Sequence, residues 1–80
     1  MKVSVKLYAT LRKFAPPDNE LGEFFEVEFN GSTISDLIEQ FGFAQEIARI
    51  VFVNDSQTSD LSSTLRDGDR VVMFPPVGGG

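Results

Sequence analysis

The hydrophobic periodicity of this sequence changes from two residues to 3.6 and back again, and that change limits the folds open to the chain. Residues 2–8 (KVSVKLY) and 23–30 (EFFEVEFN) alternate apolar and polar side chains, which predicts two half-buried strands that pair antiparallel. Residues 32–42 (STISDLIEQFG) place apolar side chains at i, i+3, i+4 and i+7, which predicts one amphipathic helix. Residues 50–54 (IVFVN) and 70–74 (RVVMF) predict two further strands. The expected inward-facing side chains are Val3, Val5, Leu7, Phe25, Val27, Phe29, Ile34, Leu37, Ile38, Phe41, Val51, Val53, Val71 and Met73.

The order strand, strand, helix, strand, strand predicts an α+β fold of the β-grasp type. In this arrangement a mixed sheet of four to five strands packs on one main helix, and the first and last strands are parallel neighbours. Eighty residues leave no room for a second domain. We therefore expect one domain, 1–80, with a flexible C-terminal tail over 75–80. Thr33 and Asp36 predict a capping box at the start of the helix, and Gly42 predicts its end.

The residue types that most often support catalysis are missing. The sequence contains neither Cys nor His, so it has no thiol nucleophile, no thiolate metal ligand and no imidazole base. We expect that the chain alone is not an enzyme and that it holds no metal or stably bound cofactor. The acidic pairs Glu26 with Glu28 and Asp67 with Asp69 fit a solvated strand face and a turn better than a catalytic site.

The charge balance limits the classes of partner that we expect. A net charge of −5 argues against nucleic acid and against an anionic membrane surface, since both are bound through Lys and Arg. No apolar run approaches the roughly 20 residues that span a bilayer. The N-terminal segment alternates apolar and polar residues and therefore does not resemble a signal peptide. We expect a cytoplasmic protein whose partners are other proteins.

Four segments together resemble a known family, and the resemblance covers nearly the whole chain. They are VKLYATLRKFA near the start, STISDLIEQFG in the helix, VFVN in the third strand and LRDGDRVVMFPPVGGG at the end. The combination is similar to the small subunits of molybdopterin synthase. These proteins belong to a ubiquitin-like family of sulfur carriers that also includes the thiamine-biosynthesis carrier.

The resemblance implies a function for the C-terminal tail. A partner that resembles ubiquitin-activating enzymes would use ATP to adenylate the carboxylate of Gly80, and a sulfur donor system would convert this transient acyl-adenylate to a thiocarboxylate. The large subunit of molybdopterin synthase would then take up the tail, and the sulfur would pass to a cyclic pyranopterin precursor. The sequence fits this chemistry, because a chain without Cys cannot carry a persulfide and Gly79 has no Cβ to obstruct a narrow channel. Six extended residues, 75–80, would reach about 20 Å.

A sulfur carrier needs an exposed surface that several partners recognise. Strand alternation predicts that Tyr8, Phe52, Val72 and Phe74 point away from the helix, and the parallel pairing of the first and last strands predicts that Tyr8 meets Phe74 near the base of the tail. Lys6, Arg12 and Arg70 are expected at the rim. We predict that the partner-binding residues are Tyr8, Phe52, Val72, Phe74, Pro75, Pro76, Val77 and Gly78. The polar segment NDSQTSD departs from the family, whose members often carry an apolar contact residue there.

Three alternatives to molybdopterin synthesis stay open. The chain could serve the thiamine branch of the same carriers, although the PPV-type tail and the long segment 9–22 resemble the molybdopterin branch more closely. It could also be a ubiquitin-like modifier whose Gly80 forms an isopeptide with lysines. The last alternative is a noncovalent binding module whose tail carries out no chemistry.

Overall fold

Five strands form one mixed sheet in the computed structural model, which describes residues 1–76. The spatial order of the strands is β2-β1-β5-β3-β4. The first and last strands pair parallel, while β1–β2, β3–β5 and β3–β4 are antiparallel. This arrangement confirms the predicted β-grasp fold. The elements are β1 (Lys2–Leu7), β2 (Phe25–Glu28), α1 (Ile34–Phe41), β3 (Ile50–Val53), β4 (Ser56–Thr58) and β5 (Arg70–Phe74), with 3₁₀ turns at Ala9–Phe14 and Gln45–Ile47.

Local signals set the two ends of α1, as the sequence predicts. The hydroxyl of Thr33 accepts a hydrogen bond from the backbone N–H of Asp36 at 3.1 Å, and the Asp36 carboxylate accepts one from the backbone N–H of Thr33 at 3.0 Å. Backbone hydrogen bonds from Ser32 and Thr33 hold the pKa of Asp36 below its ordinary value. The helix ends at Gly42, whose φ of 93° is in the left-handed region that glycine adopts without strain.

The core lies between α1 and one face of the sheet. Alternation along β1 and β5 delivers their inward side chains to this core, and α1 contributes the stripe that its 3.6-residue periodicity predicts. Four other residues predicted to point inward are half-buried and pack against this core: Phe25, Val27, Phe41 and Val53. The buried apolar residues are Val3, Val5, Leu7, Leu11, Phe29, Ile34, Leu37, Ile38, Phe43, Ala48, Val51, Leu65, Val71 and Met73.

Two short segments take different forms from a regular helix. The helical character predicted after β1 is realised as a 3₁₀ turn over Ala9–Phe14, and its only fully buried residue is Leu11. The segment after Gly42 forms a single 3₁₀ turn, Gln45–Ile47. Among the described residues, no helix has both the length and the apolar character needed to cross a bilayer.

Candidate docking face and tail base

The outer face of the sheet, opposite α1, carries a group of half-buried apolar side chains. Strand register places them side by side: Val72 is opposite Phe52, and Phe74 is opposite Ile50. Tyr8 directly follows the last residue of β1, which pairs with Met73. These side chains lie on the face that does not contact the core, because their sequence neighbours in β1, β3 and β5 are the ones that point inward. We call this surface the docking face and define it as Tyr8, Ile50, Phe52, Val72 and Phe74.

Aromatic stacking organises the docking face at the end of β5. The rings of Tyr8 and Phe74 are nearly parallel, with centroids 4.5 Å apart and an interplanar angle of 4°. Phe52 meets Phe74 edge to face, with centroids 6.2 Å apart. The contact predicted between Tyr8 and Phe74 is therefore confirmed. Mutual packing leaves each ring only partly accessible, so the cluster is a preformed surface rather than three separate mobile side chains.

Backbone hydrogen bonds from both sides hold the end of β5, where the tail begins. The N–H of Tyr8 donates to the carbonyl of Met73 at 3.2 Å, and the N–H of Arg49 donates to the carbonyl of Phe74 at 2.9 Å. The strand then ends at Phe74, since Pro75 has no N–H with which to continue the ladder. Pro75 is half-buried and Pro76 is exposed. The predicted tail residues Val77, Gly78, Gly79 and Gly80 lie outside the described residues.

Of the three basic residues expected at the rim, two are engaged within the chain. The Arg12 guanidinium donates to the Asn19 side-chain oxygen at 3.1 Å, to the Asn19 carbonyl at 2.6 Å and to the Glu20 carbonyl at 3.4 Å. Arg12 therefore anchors the loop between the first 3₁₀ turn and β2. Arg70 forms an exposed ion pair with Asp55 at 3.1 Å. Lys6 instead places its ammonium 4.3 Å from the centroid of the Phe24 ring.

The acidic pairs either make contacts that stabilise a turn or lie on an exposed strand face. Asp67 accepts a hydrogen bond from the backbone N–H of Lys2 at 2.7 Å, and Asp69 accepts one from the backbone N–H of Arg66 at 2.8 Å, so both stabilise the turn before β5. Glu26 and Glu28 are exposed on β2, and Glu28 pairs with the N-terminal ammonium at 3.3 Å. Within residues 1–76, no group of three or more acidic side chains is arranged to hold a metal ion.

The polar segment after β3 forms a tight hairpin. Asn54 and Asp55 have φ values of 51° and 73°, which are the left-handed conformations that a two-residue hairpin turn requires. The Asn54 side chain also donates to Asp69 and accepts from the backbone N–H of Arg70, both at 2.9 Å, so the hairpin is tied to the start of β5. The polar residues of this segment therefore form the hairpin turn and the edge strand β4.

Two apolar residues on the outer face were not among the predicted site residues. Ile50 lies directly opposite Phe74 in the β3–β5 pairing. Its alternation with Phe52 would have been enough to place it there. Phe24 precedes β2, and 38% of its surface is exposed. Its contact with Lys6 depends on the β1–β2 register, which periodicity alone does not supply.

The fold and the docking face define a small ubiquitin-like β-grasp protein with an apolar surface beside its C-terminal strand. A model of the ThiS family matches residues 5–80. The chain therefore belongs to the ThiS family of ubiquitin-like sulfur carriers. No curated protein sequence matches it.

Solved structures share this fold over nearly the full length of the chain. A Pyrococcus furiosus protein named as molybdopterin converting factor subunit 1 is 31% identical, with a TM-score of 0.66, and the match covers 95% of this chain and 98% of that one. A chain of the BexX/CysO complex from Amycolatopsis orientalis is 26% identical, with a TM-score of 0.57 and coverage of 98% and 99%. SAMP1 from Haloferax volcanii shares the fold at 22% identity, with a TM-score of 0.65 and complete coverage of both chains.

Proposed function

We propose that this chain carries sulfur as a thiocarboxylate on the C-terminal carboxylate of Gly80 and donates it for molybdopterin biosynthesis. The carboxylate of Gly80 attacks the α-phosphate of ATP on an adenylating enzyme, and pyrophosphate leaves. Hydrosulfide from a sulfide donor then attacks the acyl carbon, a C–S bond forms, and AMP leaves. The resulting thiocarboxylate reacts in the active site of a large synthase subunit, so the chain is the small, sulfur-donating subunit of a two-protein enzyme.

One observation carries the choice of the molybdopterin branch. The Pyrococcus furiosus protein named as molybdopterin converting factor subunit 1 is 31% identical, and the match covers 95% of this chain. At 22% identity, a match to the complex of subunits 1 and 2 of the Helicobacter pylori molybdopterin-converting factor supports the same fold in a protein that works with a partner subunit. Thiamine biosynthesis and lysine modification are the competing outcomes of the test below.

The docking face supports a carrier that two different enzymes must recognise. Its aromatic cluster lies at the end of β5, and the backbone of that strand is hydrogen-bonded as far as Phe74. A partner that contacts Tyr8 and Phe74 therefore also fixes the point at which the tail departs. This link between recognition and tail position suits chemistry that takes place on the tail itself.

The decisive experiment is intact mass spectrometry of the purified chain after incubation with its adenylating enzyme, ATP and a sulfide source. We expect the mass increase that corresponds to exchange of one carboxylate oxygen for sulfur. A variant that lacks Gly79 and Gly80 is the control and should show no increase. Conjugates on lysine would favour a protein modifier, and an unchanged mass with an active adenylating enzyme would contradict carboxylate chemistry.

A second step separates the two biosynthetic branches. The thiocarboxylated chain is mixed with the large molybdopterin synthase subunit and the pyranopterin precursor, and in parallel with the enzyme that forms the thiazole of thiamine. Sulfur transfer to the pyranopterin alone supports the proposal. Transfer in the thiazole reaction alone would keep the carrier chemistry and overturn the molybdopterin assignment.

A further inference from the structure

The outer face of the sheet extends beyond the docking face along one row of side chains. Val72 lies opposite Phe52 on one side and opposite Lys6 on the other. The ammonium of Lys6 in turn stands over the ring of Phe24, 4.3 Å from its centroid. The row therefore runs from Phe52 through Val72 and Lys6 to Phe24, and it places a cation at the margin of an apolar surface.

The charge of Lys6 has no carboxylate partner among residues 1–76. The ion pairs in this part of the chain are Met1 with Glu28 and Arg70 with Asp55. Glu26 shares the outer face with Lys6 but lies opposite Ser4, and it forms no ion pair with the ammonium. In a chain with 12 acidic and seven basic residues, Lys6 is a positive charge that stays available at the edge of the proposed binding surface.

The Phe24 ring prepares this ammonium for an external ligand. A cation over an aromatic face is held by the ring quadrupole, so the lysine side chain loses less conformational freedom when it binds. An ammonium has three donors, and the ring covers only one side of it. A polyanion such as nucleic acid does not fit, because the net charge of −5 would repel it. A ligand with one carboxylate and an apolar group beside it would contact both the ammonium of Lys6 and the apolar side chains of the row.

We infer that Lys6 and Phe24 form a recognition site for an Asp or Glu side chain of a partner protein, at the margin of the docking face. The inference rests on the proposed function, since it takes the partners to be the adenylating enzyme and the large synthase subunit. Lys6 selects for a single carboxylate at this position of the partner, while Tyr8 and Phe74 supply the apolar contact.

The test compares affinities of the full chain for the purified adenylating enzyme and the purified large synthase subunit, at low and high salt, by isothermal titration calorimetry. Lys6→Glu reverses the charge, and Lys6→Met removes it while retaining an unbranched side chain. Lys13→Glu is the matched control: Lys13 stands 5.4 Å from the ring of Phe14, which packs against the core and not on the docking face. Thermal unfolding verifies that each variant is folded.

For at least one of the two proteins, we expect Lys6→Glu to weaken binding roughly tenfold or more at low salt, and Lys6→Met to weaken it about three- to fivefold. The difference in affinity between wild type and Lys6→Glu should shrink at high salt. The affinity of Lys13→Glu should stay within about twofold of the wild-type affinity. Equal effects of Lys6→Glu and Lys13→Glu on both proteins would overturn the inference. Phe74→Asp is measured alongside as a separate test of the docking face. If it weakens binding while the Lys6 variants do not, the docking face is supported and the carboxylate site is not. If wild type binds neither protein, the proposed function and this inference both fail.

Discussion

Replacing Phe74 by Ala should separate partner binding from stability, because Phe74 and its neighbour Met73 point to opposite faces of β5. Met73 is fully buried in the core, whereas Phe74 lies on the outer face in contact with Tyr8 and Phe52. Each aromatic contact contributes about 0.5–1.5 kcal/mol, and the ring is only partly buried, so Phe74→Ala should lower the free energy of unfolding by about 1–2 kcal/mol. Met73→Ala should lower it by about 3 kcal/mol, since it leaves a cavity in the core.

The order of the two variants should be reversed for partner affinity, which Phe74→Ala should lower more than Met73→Ala. A buried aromatic anchor at the centre of an interface contributes about 2 kcal/mol or more, so Phe74→Ala should weaken binding to the proposed adenylating partner by about 30-fold. Met73→Ala should bind with nearly unchanged affinity at a temperature at which it is folded. Urea denaturation measures the first quantity, and isothermal titration calorimetry measures the second.

Two results would refute this reasoning. If Phe74→Ala destabilises the chain as strongly as Met73→Ala, then Phe74 is a core residue and the outer face is not free for a partner. If Phe74→Ala is folded and binds with unchanged affinity, then the aromatic cluster stabilises the end of β5 without contributing to recognition. Tyr8→Ala provides an independent check, because it removes the other ring of the stack, which lies just after β1.

Three further predictions concern the scaffold. Gly31→Ala should lower the free energy of unfolding by about 1–3 kcal/mol, because a Cβ there would lie 2.4 Å from the Cβ of Asp36 and 2.9 Å from the ring of Phe29; an unchanged urea midpoint would contradict this. Arg12→Ala should release the loop before β2, with faster hydrogen exchange or proteolysis around Asn19, while core amides keep their protection; uniform loss of protection would instead indicate global destabilisation. The pKa of Asp36 is lowered in the folded state, so its stabilising effect is fully present above its unfolded pKa and is lost as the pH falls below about 4; Asp36→Asn should therefore flatten the decrease in unfolding free energy at acidic pH, and parallel profiles for variant and wild type would refute the assignment.

The parts of the fold that could be predicted from the sequence are those set by local periodicity and local hydrogen bonds. Alternation was sufficient to place Val3 inward and Phe74 outward, because a strand has only two faces. The start of α1 followed from Thr33 and Asp36, since both partners of the capping box lie within four residues. The pairing of Tyr8 with Phe74 followed once the first and last strands were taken as parallel neighbours.

Other features depend on contacts between segments whose relative position periodicity does not specify. Arg12 was expected at the rim of the docking face, but alternation along β1 does not specify what an arginine in the following turn contacts. The folded loop instead brings the Asn19 carbonyl within 2.6 Å of its guanidinium. The contact between Lys6 and Phe24 likewise requires the register of β1 against β2, and two alternating strands can pair in more than one register. The contact with Phe24 nevertheless determines where the Lys6 charge lies beside the docking face.

The position of β5 explains why recognition and tail placement belong to one structural unit. An edge strand could shift or fray at its end, but β5 is hydrogen-bonded to β1 on one side and to β3 on the other. The last carbonyls on the strand, those of Met73 and Phe74, accept hydrogen bonds from opposite neighbours, so the strand is held to its final residue. The aromatic cluster is built on that same residue. A protein that binds the aromatic cluster therefore also fixes the position of the end of β5, from which Pro75 continues. Any reaction on the tail would then take place at a defined distance from the bound surface.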